Sequence, residues 1–155
     1  MKLGIIIICK NNENDIDVNL CTRYLKTVID TKFCLVNNSS EDKTHALLER
    51  IKDRSQNVSV VNIKKMKSDN SAVKAGARFM FNQFTLDHIG FVNANTINNY
   101  EDLSLLTKTI RAHRAEIINY HQEFLNTKAV KLTQFQSLFP VIDYLEQMKT
   151  GSEYA

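Results

Sequence analysis

Leu3-Gly4-Ile5-Ile6-Ile7-Ile8-Cys9 is the stretch on which the fold turns. It is an unbroken apolar run, rich in β-branched residues, that ends abruptly at Lys10-Asn11-Asn12-Glu13. A strand with one wet face alternates apolar and polar residues. A run without alternation belongs to a strand buried on both faces, which is the habit of parallel sheets. Directly after it the period changes. Ile16, Leu20, Tyr24, Leu25 and Val28 recur at helical spacing over 15–29 and predict an amphipathic helix. A strand followed by a crossover helix is the unit from which parallel sheets are built.

The alternation continues along the chain. Lys32 to Val36 predicts a second strand, and Asn37 to Asp42 a loop with Ser39 or Ser40 as helix N-cap. Ala46, Leu47 and Ile51 give the next helix its apolar face. Val58 to Ile63 is a third strand, and Lys64 to Asn70 a basic loop. Ala72, Ala75, Gly76, Phe79 and Met80 then space as the buried side of a helix whose small residues allow close packing on a sheet. Asp87 to Val92 predicts a fourth strand, Leu103, Leu106 and Ile110 a fourth helix, and Glu116 to Tyr120 a fifth strand. From Thr133 a helical period runs through Phe135, Leu138, Phe139, Ile142, Leu145 and Met148, with a kink or break at Pro140. The expected class is α/β: one three-layer, Rossmann-like domain over 1–155 with a mostly parallel sheet, closed by a C-terminal helical segment over 129–155.

Composition narrows the classes of function. At 155 residues, 43% hydrophobic and 24% charged, the chain can bury a core and is not disordered. A net charge of +3 is too small and too dispersed to signal nucleic-acid binding. Cys9, Cys21 and Cys34 form no CxxC pair and read as buried reduced thiols of a soluble, cytoplasmic protein. No apolar run approaches the roughly 20 residues of a membrane span. His45, His88, His113 and His121 are dispersed without ligand spacing and read as ordinary surface or cap residues.

In open parallel sheets, ligands sit beyond the C-terminal ends of the strands. That places chemistry in the loops Lys10–Asn14, Asn37–Asp42, Lys64–Ser71 and Asn93–Asn98. There is no GxGxxG, no GxxxxGK[ST] and no GxSxG, which removes the dinucleotide, P-loop and nucleophile-elbow readings.

Taken in order, the loops resemble those of family-2 glycosyltransferases of the GT-A fold over about residues 3–120. Ile8-Cys9-Lys10-Asn11-Asn12-Glu13 resembles the family's first motif, keeping Asn12 and Glu13 in kind. Val36-Asn37-Asn38-Ser39-Ser40-Glu41-Asp42-Lys43-Thr44 is similar to Val-Asp-Asp-Gly-Ser-x-Asp-x-Thr, with Ser40, Asp42 and Thr44 matching. Ala72 to Gly76 resembles the helix after the third strand. Phe91-Val92-Asn93-Ala94-Asn95 takes the place of the acidic metal motif Phe-x-Asp-x-Asp. The resemblance implies a nucleoside-diphosphate-sugar donor. Asn37 or Asn38 would face the base, and Asn93 and Asn95 the ribose, metal and diphosphate, with Asn12 and Glu13 also lining the site.

The departures are chemical. Asparagine stands at each of the four acidic positions, Asn37, Asn38, Asn93 and Asn95. Hard cations such as Mg²⁺ want carboxylates, so no Mg²⁺ or Mn²⁺ is expected and no metal site is assigned. Lys64, Lys65, Lys67, Lys74 and Arg78 cluster at the ligand end, and Lys67 and Lys74 are the candidates to meet a diphosphate in its place. Glu-Asp occurs only at Glu41-Asp42 and Glu101-Asp102, neither placed to deprotonate an acceptor, so no catalytic residue is assigned. Two readings follow. One is a glycosyltransferase-like protein that moves a sugar from such a donor to an acceptor hydroxyl. The other is an inactive relative that serves as a binding or interaction module. The apolar stripe from Phe135 to Met148 either packs back on the sheet or forms a homodimer or partner interface.

Overall fold

A computed structural model of the protein describes residues 2–96 and 103–154. Five strands form one sheet: β1 Leu3–Cys9, β2 Thr31–Asn38, β3 Val58–Ile63, β4 His88–Asn93 and β5 Phe139–Pro140. Their order is β3-β2-β1-β4-β5, and every neighbouring pair is parallel. The helices are α1 Val18–Leu25, α2 Thr44–Asp53, α3 Asp69–Gln83, α4 Leu103–Ala112, α5 Arg114–Asn126 and α6 Val141–Tyr154. The fold is the α/β, GT-A-like Rossmann arrangement.

β1 is central and every one of its residues is buried. Its side chains divide between the two faces. Leu3, Ile5, Ile7 and Cys9 join Phe33, Leu35, Leu48, Leu106 and Ile117 on the side covered by α1, α2, α4 and α5. Ile6 and Ile8 join Cys34, Val36, Ala72, Val73 and Met80 on the side covered by α3. A β-carbon on Gly76 would lie 2.8 Å from the Ile6 side chain and 3.0 Å from that of Val36, so glycine lets α3 lie close on the sheet. Burial without water leaves the thiols inert: desolvation pushes Cys9 and Cys34 up to about 12.

The chain winds outward from β1 to β2 to β3, and then α3 carries it back to β4 on the other side of β1. The order therefore reverses between β1 and β4, the place where open parallel sheets form a crevice beyond the strand ends.

Several boundaries differ from the sequence reading. The first helix is only Val18–Leu25, preceded by a 3-10 turn at Glu13–Asp15, because the Asp17 side chain accepts from Leu20 N–H at 3.0 Å and starts it late. α2 begins at Thr44 rather than after Ser39 or Ser40, since Ser39 adopts φ 56 and Asp42 accepts the Thr44 N–H at 2.9 Å. Its buried side is Thr44, Leu48 and Ile51, while Ala46 is exposed and Leu47 half-buried.

The predicted fifth strand, Glu116–Tyr120, lies inside α5. Ile117, Ile118 and His121 share its buried face, a helical spacing that a short apolar run conceals. Arg114 ties the start of that helix to β2 by donating to the Thr31 hydroxyl at 2.6 Å. The true fifth strand is Phe139–Pro140, in the segment expected to be helical from 129. Proline is tolerated there at a sheet edge, where its missing N–H costs no ladder bond. The C-terminal stripe packs back on the domain: Phe139, Val141, Tyr144 and Leu145 are buried, and Phe135 stays exposed.

His88 and His121 are a correction of a different kind. Both are buried, and their Nδ1 atoms lie 2.7 Å apart. His121 Nε2 lies 2.8 Å from the Ser137 carbonyl, which only accepts, so Nε2 carries the proton. In the neutral ring Nδ1 of His121 is then the acceptor, and His88 donates to it. Burial lowers both imidazoles below their ordinary value, and His88 lowers its partner further, to about 4 for His121. Nothing in the sequence spacing signals this pair, because the sheet alone brings β4 against α5.

Candidate functional site

The floor of the crevice is made by the ends of β1, β2 and β4. β1 and β2 run in register from Leu3 opposite Thr31 to Cys9 opposite Asn37, so both strands stop at the same level and their loops meet. Asn11 takes φ 54, its N–H donates to the Ser40 hydroxyl at 3.0 Å, and its side-chain oxygen accepts the Glu41 N–H at 2.8 Å. Glu13 accepts the Lys43 N–H, and Asp42 accepts the Glu13 N–H, each at 3.2 Å. Burial opposes the Asp42 charge, but the Thr44 hydroxyl, its N–H and the Glu13 N–H outweigh it and hold the carboxyl below its usual range. Glu13 and Asp42 therefore work as loop staples.

The asparagines are committed in the same way. Asn12 is 2% exposed; its side-chain oxygen accepts the Lys10 N–H at 2.7 Å and its backbone N–H donates to the Thr44 hydroxyl at 2.7 Å. Its amide nitrogen donates to Asn95 Oδ1 at 2.8 Å. Asn95 Nδ2 in turn donates to the Lys10 carbonyl at 3.2 Å, and Asn95 N–H donates to Asn93 Oδ1 at 2.8 Å. The orientations are forced. A backbone N–H must face oxygen and a carbonyl must face nitrogen, so the two backbone groups of Lys10 fix how both amides point. Asn38 makes the same double contact with one residue: its oxygen accepts Lys67 N–H at 3.0 Å, and its nitrogen donates to the Lys67 carbonyl at 2.9 Å. Asn37 donates to Asn62 Oδ1 at 2.8 Å and accepts Ser40 N–H at 3.3 Å.

Each of Asn12, Asn38 and Asn95 thus uses its NH₂ as a donor toward an oxygen that a carboxylate would repel. The predicted site residues Asn12, Glu13, Asn37, Asn38, Asn93 and Asn95 come together around the strand ends. Lys67 joins them through its backbone, with its side chain exposed. Lys74 stands apart from that ring. It lines a cleft of about 370 Å³ on the α3 face, with Val73, Phe91, Asn93, Phe135 and Leu138 among its walls. Asn93 belongs to both places. Phe135 is held as a cleft wall by the Phe81 ring, with centroids 5.3 Å apart, and by Arg78 above it.

The family model described as glycosyl transferase family 2 matches residues 4–151, nearly the whole chain. The chain belongs to glycosyl transferase family 2. No curated protein matches it. Membership extends past the motifs to the α5, β5 and α6 segment, which the resemblance over 3–120 left aside. Two residues of the loops beyond the strands carry no signal in the sequence. Lys10 reads in the sequence as one member of a motif, whereas its backbone is the centre of the asparagine ring. Asp69 opens α3 and is the one carboxylate among the residues lining the cleft. Their signal was topological rather than compositional. Glu101 and Asp102, like the loop residues from Ile97 to Asn98, lie outside the described residues. Among the described residues no helix is long and apolar enough to cross a membrane.

Proposed function

We propose that the crevice binds a nucleoside-diphosphate sugar without a divalent cation. In this reading Asn93-Ala94-Asn95 stands where relatives carry the Asp-x-Asp metal motif. The observation that carries it is the amide ring of Asn12, Asn95 and the Lys10 backbone. In relatives a metal joins acids to the diphosphate. Here neutral amides cross-link the loops after β1 and β4 directly. The donor set does not suit a hard cation. Both amide atoms of Asn95 are already used, Asn93 Oδ1 accepts a backbone N–H, and no three of His, Cys, Asp or Glu converge among the described residues. Fewer negative charges at the crevice also lessen repulsion of a diphosphate, and Lys67 and Lys74 add attraction that salt screens.

Transfer, in an active protein, breaks the bond from the anomeric carbon to the phosphate oxygen and forms one to the acceptor oxygen. The acceptor proton passes to a base and the nucleoside diphosphate departs. The second reading, an inactive binding module, draws support from the carboxylates near the ring. Glu13 and Asp42 hold backbone N–H groups, and Asp15 accepts from Asn12 at 3.3 Å.

Thermal shift with UDP, GDP and their sugars, in EDTA and again with Mn²⁺, tests the proposal. Stabilisation in EDTA that weakens with salt and in Lys67→Ala or Lys74→Ala supports it. Stabilisation that strictly requires Mn²⁺ overturns metal independence. No shift at millimolar ligand leaves the binding-module reading in its place. If a bound donor is then not turned over with any acceptor, the chain acts by binding alone.

A further inference from the structure

We infer that the Lys10 ammonium receives the diphosphate of the donor. This deepens the nucleotide reading above and rests on it. Lys10 follows the last residue of β1, at the switch point of the sheet. Its backbone is gripped on both sides, the N–H by Asn12 and the carbonyl by Asn95. Its side chain is half-buried and reaches Met66 Sδ in the loop after β3. β2 lies between β1 and β3, so the lysine stem spans the open end of β2, above Asn38 and beside the asparagine ring.

Among the described residues no anion pairs with this cation. A thioether is a weak, uncharged acceptor. The ion pairs of the described residues join His45 and Lys52 to Glu49, His113 to Glu116 and Arg114 to Asp30, and none includes Lys10. The carboxylates of these loops bond elsewhere: Asp42 accepts from Glu13 and Thr44, Glu13 from the Lys43 N–H, and Asp15 from Asn12. Lys64, Lys65 and Lys67 also form no ion pair, but they sit exposed on a loop, where water meets their charge. Lys10 differs in being partly desolvated and held from its backbone, which lowers the ordering cost of binding. Phosphate oxygens would replace the Met66 sulfur and form charge-assisted hydrogen bonds with the ammonium.

Calorimetry on the full chain, in EDTA at low salt, tests this with UDP and with inorganic pyrophosphate. Both grips on Lys10 are backbone bonds, so Lys10→Met keeps them, and its melting temperature should match that of the unsubstituted protein. Its affinity for both ligands should fall at least about tenfold, and Lys10→Arg should recover part of it. Lys26→Met, an exposed change of equal charge on α1's far end, should bind as the original does. Equal binding by Lys10→Met overturns the assignment and leaves the nucleotide reading standing. So does an equal loss in Lys26→Met, which would mark bulk charge. Failure of the unsubstituted protein to bind UDP overturns both. Pyrophosphate binding without UDP binding overturns the donor assignment and leaves a plain anion site.

Discussion

β4 has a polar cluster at each end. At its C-terminal end the amides of Asn95, Asn93 and Asn12 close a ring with the Lys10 backbone. At its N-terminal end His88 donates to His121, which donates to the Ser137 carbonyl. Both clusters are built from neutral side chains and join separate elements: loop to loop above, strand to helix below. They differ in one property. An amide keeps its donor and acceptor at every pH, whereas an imidazole changes both when it charges. The amide ring at the C-terminal end of the sheet is thus indifferent to acid, and the histidine pair at the opposite end is not.

The sharpest way to break this comparison is His121→Ala. It opens a cavity among Phe139, Tyr144 and Phe124, and it removes the bonds that His121 makes with His88 Nδ1 and the Ser137 carbonyl. The expected loss is about 2–4 kcal/mol. In a domain of this size each kcal/mol moves the melting temperature by about 2–4 °C. A change of less than one degree would mean that the pair carries nothing.

Acidification comes next. Both imidazoles titrate lower in the folded chain than in the unfolded one, whose ordinary histidine value is about 6.5. Unfolding therefore takes up protons in acid. The pair's contribution is complete above pH 6.5 and is lost as pH falls toward about 4, the value of His121. Melting curves between pH 7.5 and 4 should fall through that window in the original protein and flatten there in a His88→Phe/His121→Phe double variant.

Asn38→Asp probes the upper end with the opposite sign. The carboxylate would face the Lys67 carbonyl from a site that is 3% exposed, at a cost of about 1–3 kcal/mol at neutral pH. Protonation restores a donor, so this deficit should shrink in acid, where the histidine pair weakens. A deficit that grows on acidification would contradict the forced amide orientation. The smallest effect is expected from Asn95→Ala. It removes two bonds at an exposed residue and should cost about 0.5–1.5 kcal/mol. Hydrogen exchange at the loops after β1 and β4 should rise in this variant, with the lower end of β4 unaffected.

The β-α alternation from Leu3 to Met80 was legible because each strand there is long, apolar and flanked by turn residues, and each helix has its own stripe. The candidate site loops were legible as neighbours, because parallel strands that end in register bring the loops after them together whatever those loops contain. The C-terminal third was not. Ile117-Ile118 fits a strand or a helix equally well, and only the face that α5 presents to the core decides between them. Phe139-Pro140 follows a helical stripe in sequence, yet it pairs with Gly90-Phe91 because the free edge of β4 lies beside it.

The sequence alone determined the layered α/β class, the buried central strand, and the neutral side chains at Asn37, Asn38, Asn93 and Asn95. These are local properties of residue type and period. The tertiary structure decided that the asparagines bond to one another and to the Lys10 and Lys67 backbones. It also decided that Lys10 reaches Met66 across the end of β2 with no ion pair among the described residues, and that two histidines distant in sequence share a hydrogen bond. Hydrogen bonds and unmet charges depend on which atoms approach within about 3 Å. Residues as far apart as Asn12 and Asn95, or His88 and His121, acquire that proximity only when the sheet is assembled.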